Sequence, residues 1–423
     1  MTNYRKLAEK ADSANNKRLA IEYMSKYFEQ TPSYRVSAVD YNLMGCFYHE
    51  LFMEEGNNDI DLVYQAIPYF KKAHELAPFK LDYLQNLEIV YNKTNQDKLQ
   101  GELFKYEQEH NLFTDDEKFE FACYSLKVGD LENFYKYYDS RFLKDQHATI
   151  YPKLNIPMWQ GEDIKDKTLL VHWEQGFGDT FLFSGYLGRL SEVAKEVHFV
   201  CQNICYNIVR RNTFPENVHI IPECFFDASK ASFDYQVPCM SIPARLNLSK
   251  EELCVGHGYL KVDDGLVQEF KEKYFNTDKV KVGIAFKGNT GGEVTRDIDL
   301  AVFDKLKELP NVEVYNFTRD EDTDFIDVTK GSRDFKDTAC CLANLDYLIS
   351  GDNVILNLAG AIGVKTYAMF NWQANFRYFD LANSRVGWFD DIIKPYKCSK
   401  MNDWGSILDD ILKDVGIKEC TTV

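Results

Sequence analysis

The stretch Val171-His172-Trp173-Glu174-Gln175-Gly176-Phe177-Gly178-Asp179-Thr180 places two carboxylates and two glycines directly after the apolar run Thr168-Leu169-Leu170. Glycine lacks a Cβ, so the chain can turn sharply here and a substrate can approach the backbone. Asp179 has two readings. At the start of a helix its carboxylate caps orphan amides, worth about 0.5–2 kcal/mol. Projecting into a cleft, it accepts a proton as a general base. Glu174 is a second candidate base, although its first reading is a hydrogen-bonding residue that fixes the turn. Gln175, Gly176 and Gly178 complete the loop, the glycines being expected to admit substrate, and His172 within the strand-like run reads as a core histidine.

Two further turns carry polar chemistry. Lys287-Gly288-Asn289 opens a loop rich in Gly, Asn and Thr that runs to Arg296. Backbone amides and cations in such a loop suit an oxyanion or a phosphate, although Arg296 can also pair locally with Asp297 or Asp299. Ser350-Gly351-Asp352-Asn353 precedes a helix that begins at Val354 and carries Asn357. The amides and dipole of that helix start suit a diphosphate, while Asp352 also serves as a helix cap or turns toward a ribose hydroxyl. Trp372, Phe376 and Tyr378 follow the last strand-like run, where a ring can meet a nucleotide base or pack an interdomain seam.

These turns need strands and helices to hold them. After Pro152 and Pro157 short apolar runs alternate with helical stretches: "KTLLVHW", "FLFSGYLGRLSEVAK", "EVHFVCQ", "VHII" and "DYQVP". A second series runs from "KVKVGIAF" through "VEVYNF" and "DYLIS" to "KTYAMF", with helices near 300–309, 337–345 and 353–362. The alternation predicts two doubly wound parallel sheets joined by a charged helix around 263–276, with ligand at the carboxyl ends of the strands.

The first third has another texture. Ala66, Phe70, Ala73 and Pro78 have the spacing of the second helix in a repeat of about 34 residues, with Tyr41, Met44, Gly45 and Tyr48 as the first helix. The offsets recur at Ala20, Met24, Tyr27 and Pro32, and again at Leu84, Leu87 and Tyr91, while Gly129-Asp130 turns one more hairpin between Phe121 and Phe142. This predicts tetratricopeptide-like helical repeats over 1–145, α/β domains over 146–262 and 263–423, and a repeat surface that holds a peptide or protein.

Composition narrows the class. A chain of 423 residues with 45% hydrophobic content supports two or three globular domains. Net charge of −17, without a basic cluster, argues against nucleic-acid partners. The start has no apolar leader and no run approaches the roughly 18 apolar residues of a membrane span, so no integral membrane segment and a cytoplasmic location are expected. The 11 cysteines follow neither a zinc pattern nor a disulfide framework, and no metal site is expected.

Taken together, "PMWQGEDIKDKTLLVHWEQGFGDTFLFSGYL", "FKGNTGGEVTRDIDL" and "LDYLISGDNVILNLAGAIGVKTYAMF" resemble, in order, the motifs of bacterial tetratricopeptide-repeat proteins carrying a GT-B glycosyltransferase domain of the heptosyltransferase-like (family 9) type. The resemblance covers the whole chain. It implies two facing Rossmann-like domains, the first for the acceptor and the second for a nucleotide-sugar donor. Asp179 then matches the base, Gln175, Gly176 and Gly178 the acceptor-side loop, and Lys287, Gly288, Asn289, Arg296, Asp352, Asn353, Val354, Asn357 and Trp372 the donor side. The pattern is broken at Gly185, Phe286, Thr290, Gly292, Asn353 and Asn357; at the last of these the family usually has histidine.

The expected activity is inverting, metal-independent sugar transfer from a nucleotide-sugar co-substrate, with no other cofactor, to a protein held by the repeats. Transfer to a lipid- or polysaccharide-linked glycan is the alternative acceptor. A catalytically inactive scaffold for protein binding is the alternative class.

Overall fold

The computed structural model describes residues 3–56, 59–143, 154–212, 214–288 and 296–416. The chain forms two compact units that change over between Glu117 and Lys118.

The first unit is built of helical hairpins: α1 (Tyr4–Ser13) with α2 (Lys17–Gln30), α3 (Ala38–Glu54) with α4 (Ile60–Leu76), and α5 (Leu81–Lys93) with α6 (Asp97–Glu109). The turn chemistry repeats. Asn15, Asn95 and Asn111 take positive φ of 55°, 52° and 56° after helix ends, a conformation asparagine tolerates. Ser37 and Asp40 form a reciprocal capping box at the start of α3. The repeat positions Ala20, Met24, Met44, Ala66, Phe70, Ala73, Leu84, Leu87 and Tyr91 are all buried. Gly45 explains the small-residue signature, because a Cβ there would lie 2.5 Å from the Phe70 ring.

α7 (Asp115–Val128) and α8 (Leu131–Tyr137) form the expected hairpin, turned by Gly129 at φ 82°. Repeats over 1–145 would include it. Its apolar face instead joins the second unit: Ala122, Leu126, Phe134 and Tyr138 share one core with Leu169, Phe183 and Leu187. The unit boundary therefore falls inside α7.

The second unit holds two parallel sheets. In the first, β1 (Ile164–His172), β2 (Ala194–Cys201), β3 (Val218–Pro222) and β4 (Tyr235–Pro238) lie in the order β3-β2-β1-β4. α9 (Phe177–Ser184), α10 (Leu187–Val193), α11 (Asn203–Val209) and the short α12 (Ile242–Arg245) connect and cover them. The helical stretch after β1 breaks at Gly185, where a Cβ would lie 2.9 Å from Val255.

α13 (Asp264–Tyr274) leads to the second sheet. There β5 (Val280–Ala285), β6 (Val312–Asn316), β7 (Ile326–Asp327), β8 (Tyr347–Ser350), β9 (Thr366–Phe370) and β10 (Ile393–Lys397) run in the order β10-β9-β8-β5-β6-β7, with α14 (Phe335–Leu342), α15 (Val354–Ile362) and α16 (Trp404–Val415) around them. Strand order reverses beside β1 in one sheet and beside β5 in the other, so the loops after β1, β5 and β8 stand at the switch points where such sheets bind ligands.

One apolar core runs from Leu169 and Phe199 of the first sheet through Leu356 and Ala359 of α15 to Leu348 and Phe370 of the second. Both switch points thus belong to one packed body. All ten cysteines among the described residues are free. No helix of the described residues is long and apolar enough to cross a membrane.

Candidate active site

The chain leaves β1 with its direction fixed: the Trp173 amide donates to the Val200 carbonyl at 2.9 Å, and Gln175 sits at φ 61°. Gly176 is the N-cap of α9, and its amide donates to Asp179 Oδ2 at 3.0 Å. Asp179 therefore does cap its helix. A carboxylate offers about four acceptor positions, so this single bond leaves capacity for other partners.

Gly178 does not open space for substrate as expected. A Cβ there would lie 2.7 Å from Asn357 Nδ2 and 3.5 Å from Val354 Cα. The missing side chain lets α15 press against α9, so the glycine serves packing between the two sheets' helices.

Glu174 and Asp179 separate in role. Both Glu174 oxygens accept from Arg141, Oε1 from Nε at 2.6 Å and Oε2 from Nη2 at 2.8 Å. Arg141 is fully buried, donates to Ser241 Oγ at 2.7 Å and to Asp139 at 2.9 Å, and its guanidinium lies 4.2 Å from the Tyr138 ring centre and 4.1 Å from that of Phe142. A carboxylate gripped through both oxygens by a buried guanidinium is a poor proton acceptor. We therefore assign Glu174 to fixing the turn, not to catalysis. Burial pushes the His172 imidazole down to about 4, so that ring is neutral near pH 7.

Asp179 meets Arg377, which lies beyond β9 of the other sheet. Arg377 Nη1 stands 3.2 Å from Asp179 Oδ1, and Nη2 donates to Gln175 Oε1. Burial pushes the Asp179 carboxyl above its ordinary range; Arg377 and the Gly176 amide oppose the rise, Asp352 adds to it and Arg296 opposes it. Asp352 behaves similarly. Burial raises it against the pull of Arg296, whose Nε lies 3.4 Å from Asp352 Oδ2, and of the Tyr378 hydroxyl. Two carboxyls and two guanidiniums thus form one interacting group drawn from the loops of both sheets.

The remaining donor-side residues divide. Gly288 lies against the loop after β8, where a Cβ would be 2.9 Å from the Asp352 carbonyl, and its amide donates to Asp297 at 3.1 Å. Lys287 pairs with Glu321 at 2.6 Å. Asn353 is the N-cap of α15, accepting from the Ile355 and Leu356 amides at 2.9 and 3.3 Å and donating to the Ala285 carbonyl at 3.0 Å. Its side chain is engaged in that cap. Val354 opens α15. Trp372 has its amide held by Asn371 Oδ1 at 2.8 Å, and the contact its segment makes with Asp179 comes from Arg377. Asn289 lies outside the described residues.

Among the described residues, two buried polar atoms at this group have no hydrogen-bond partner, Arg377 Nε and Asn357 Oδ1. An unsatisfied buried donor or acceptor costs about 1–3 kcal/mol, and a donor and an acceptor left open beside a carboxylate suit a polar ligand. Arg377 was not among the sequence-derived candidates. Its signal was a cation among aromatics just past a strand end, in "NFRYF". Arg141 had no local signal.

No protein-family model matches the sequence, and no curated relative does. Among solved structures, the chain is similar to a family 9 glycosyl transferase from Veillonella parvula, at 12% identity over 62% of this chain and 93% of that one, with a TM-score of 0.41. It is also similar to the E. coli ADP-heptose lipopolysaccharide heptosyltransferase II, at 11% identity over 59% of this chain and 97% of that one, TM-score 0.42. A third similarity is to MamA, at 17% identity over 35% of this chain and 80% of that one, TM-score 0.29.

Proposed function

We propose that this protein is a glycosyltransferase that moves a sugar from a nucleotide-sugar donor to a protein acceptor, with Asp179 as the general base. The observation that carries the proposal is the Asp179–Arg377 pair at the switch point of β1, with Arg296 and Asp352 beside it and Arg377 Nε and Asn357 Oδ1 open for a ligand. A carboxyl raised by burial is a better base than an ordinary one, and Arg377 opposes that rise by favouring the ionised form.

In the proposed reaction Asp179 takes the proton of an acceptor hydroxyl as its oxygen attacks the anomeric carbon. The bond from that carbon to the diphosphate oxygen breaks, and the electron pair leaves with the nucleoside diphosphate. Attack opposite the leaving group inverts the sugar. Arg377 and Arg296 offset the developing charge, and on that account the proposed transfer relies on side chains and not on a bound metal. The helical unit supports a protein acceptor, since it exposes Tyr34 and Phe79 in the connections between its hairpins.

A second reading, an inactive scaffold, draws on Asn357. Where the resembled pattern has histidine, an amide is packed against Gly178. Incubation with a panel of nucleotide-sugars, following nucleotide release, tests both. Release that is abolished by Asp179→Asn supports the enzyme. No binding or release with any donor overturns it in favour of the scaffold. Deletion of residues 1–109 tests the acceptor: loss of transfer to protein with retained donor hydrolysis supports the protein reading, and unchanged transfer to a glycan overturns it.

A further inference from the structure

Away from the switch points, the first sheet brings together three side chains with metal-ligating atoms. Glu196 and His198 stand two residues apart on β2 and therefore share a face. β2 and β3 pair in parallel with His198 directly beside His219. The two imidazole rings lie 4.6 Å apart between centres at 33°, and His198 Nε2 is 3.2 Å from Glu196 Oε2. One ligating atom from each of the three residues lies within 4.8 Å of the others.

We propose that Glu196, His198 and His219 form a binding site for a divalent transition-metal cation, zinc being the best fit. Zinc takes imidazole nitrogen and carboxylate oxygen at about 2.0–2.2 Å in a tetrahedron, which sets neighbouring ligand atoms about 3.3–3.5 Å apart. The His198–Glu196 separation is close to this, and a ligating atom of the exposed His219 lies within 4.8 Å of both. Two imidazoles and one carboxylate leave the fourth position to water or to an outside ligand. Soft thiolate chemistry is absent from the cluster, while the nitrogens exclude a preference for calcium or magnesium.

The scaffold is rigid where it matters. Val197 and Phe199, on the opposite face of β2, are buried in the main core, and the Val197 amide donates to the Asn217 carbonyl at 2.8 Å. Phe233 packs on the His198 ring at 5.1 Å between centres. A cation here ties β3, at the edge of the sheet, to β2. The proposal is independent of the sugar-transfer reading, because these residues lie on the strands themselves and none belongs to the switch-point loops.

Untagged full-length protein, stripped with chelator, is titrated with zinc chloride by calorimetry, beside His219→Ala, His198→Ala and Glu196→Gln. One equivalent bound by the parent protein, weakened at least tenfold in His219→Ala, is the expected result. Cobalt(II) should give a visible ligand-field band that His219→Ala removes. His219 is exposed, so this variant keeps its fold, checked by an unchanged melting curve without metal. Absence of stoichiometric zinc binding, or binding equal in the parent and His219→Ala, overturns the proposal.

Discussion

The two carboxylates of the loop after β1 stand five positions apart and are held by different arginines in different ways. Glu174 is clasped through both oxygens by Arg141, which is itself fully buried and flanked by Tyr138 and Phe142. Asp179 has one 3.2 Å approach from Arg377 and one amide bond, and Arg377 keeps an open Nε. The first pair is saturated and rigid; the second has spare capacity on both partners. The proposed chemistry therefore rests on Asp179, and the Glu174–Arg141 pair anchors the loop that carries it.

The largest effect that separates them is kinetic. Asp179→Asn should lower turnover about 10²–10⁴-fold, the usual contribution of a general base. With Asp179 as the proposed base, its raised carboxyl should place the acid limb of the turnover profile above the ordinary carboxylate range, with activity lost as pH falls through it, because a base must be ionised. Equal turnover in Asp179→Asn would erase the distinction between the two carboxylates.

Arg141→Met should do the reverse. It leaves Glu174 buried without its partner, a loss of about 3–5 kcal/mol, read in urea unfolding of the chain. Adding Glu174→Gln should recover part of that loss by removing the orphan charge.

Gly178→Ala sharpens the geometry. Its Cβ would press on Asn357, costing about 1–3 kcal/mol by overpacking, and Asn357→Ala in the same chain should relieve much of it. Asn353→Ala, which removes the α15 cap, should cost about 0.5–2 kcal/mol in thermal unfolding.

Glu107 of the helical unit supplies the contrast of a buried carboxyl beside other acids, Glu88 and Glu117, in place of an arginine. Burial pushes it up to about 7. Since its folded value lies above the ordinary 4.5, its stabilising contribution is full below that value and is lost as pH rises toward 7. Glu107→Gln should therefore melt higher than the parent at pH 8 and close to it at pH 4.5.

Much of this was legible locally. The helical hairpins follow from small residues at fixed offsets, as Gly45 against Phe70 illustrates, and the sheets follow from apolar runs broken by glycine turns. The loops after β1, β5 and β8 were found because carboxylates, lysine and glycine cluster at strand ends. Other roles were not legible. Asn353 and Asp352 are neighbours with similar chemistry, yet one is spent on a helix cap and the other meets Arg296. The 1–145 repeat region reads continuously, but the last hairpin has its apolar face in another core.

The sequence by itself determined the element types, the two-sheet class and the acidic and basic residues at the turns, because periodicity and turn chemistry act over a few residues. Only the tertiary structure decided which arginine meets which carboxylate. Gln175 and Arg377 lie 202 positions apart, and His198 meets His219 through strand register. Such pairings are set by how the sheets pack into one core, a long-range burial that no local pattern encodes.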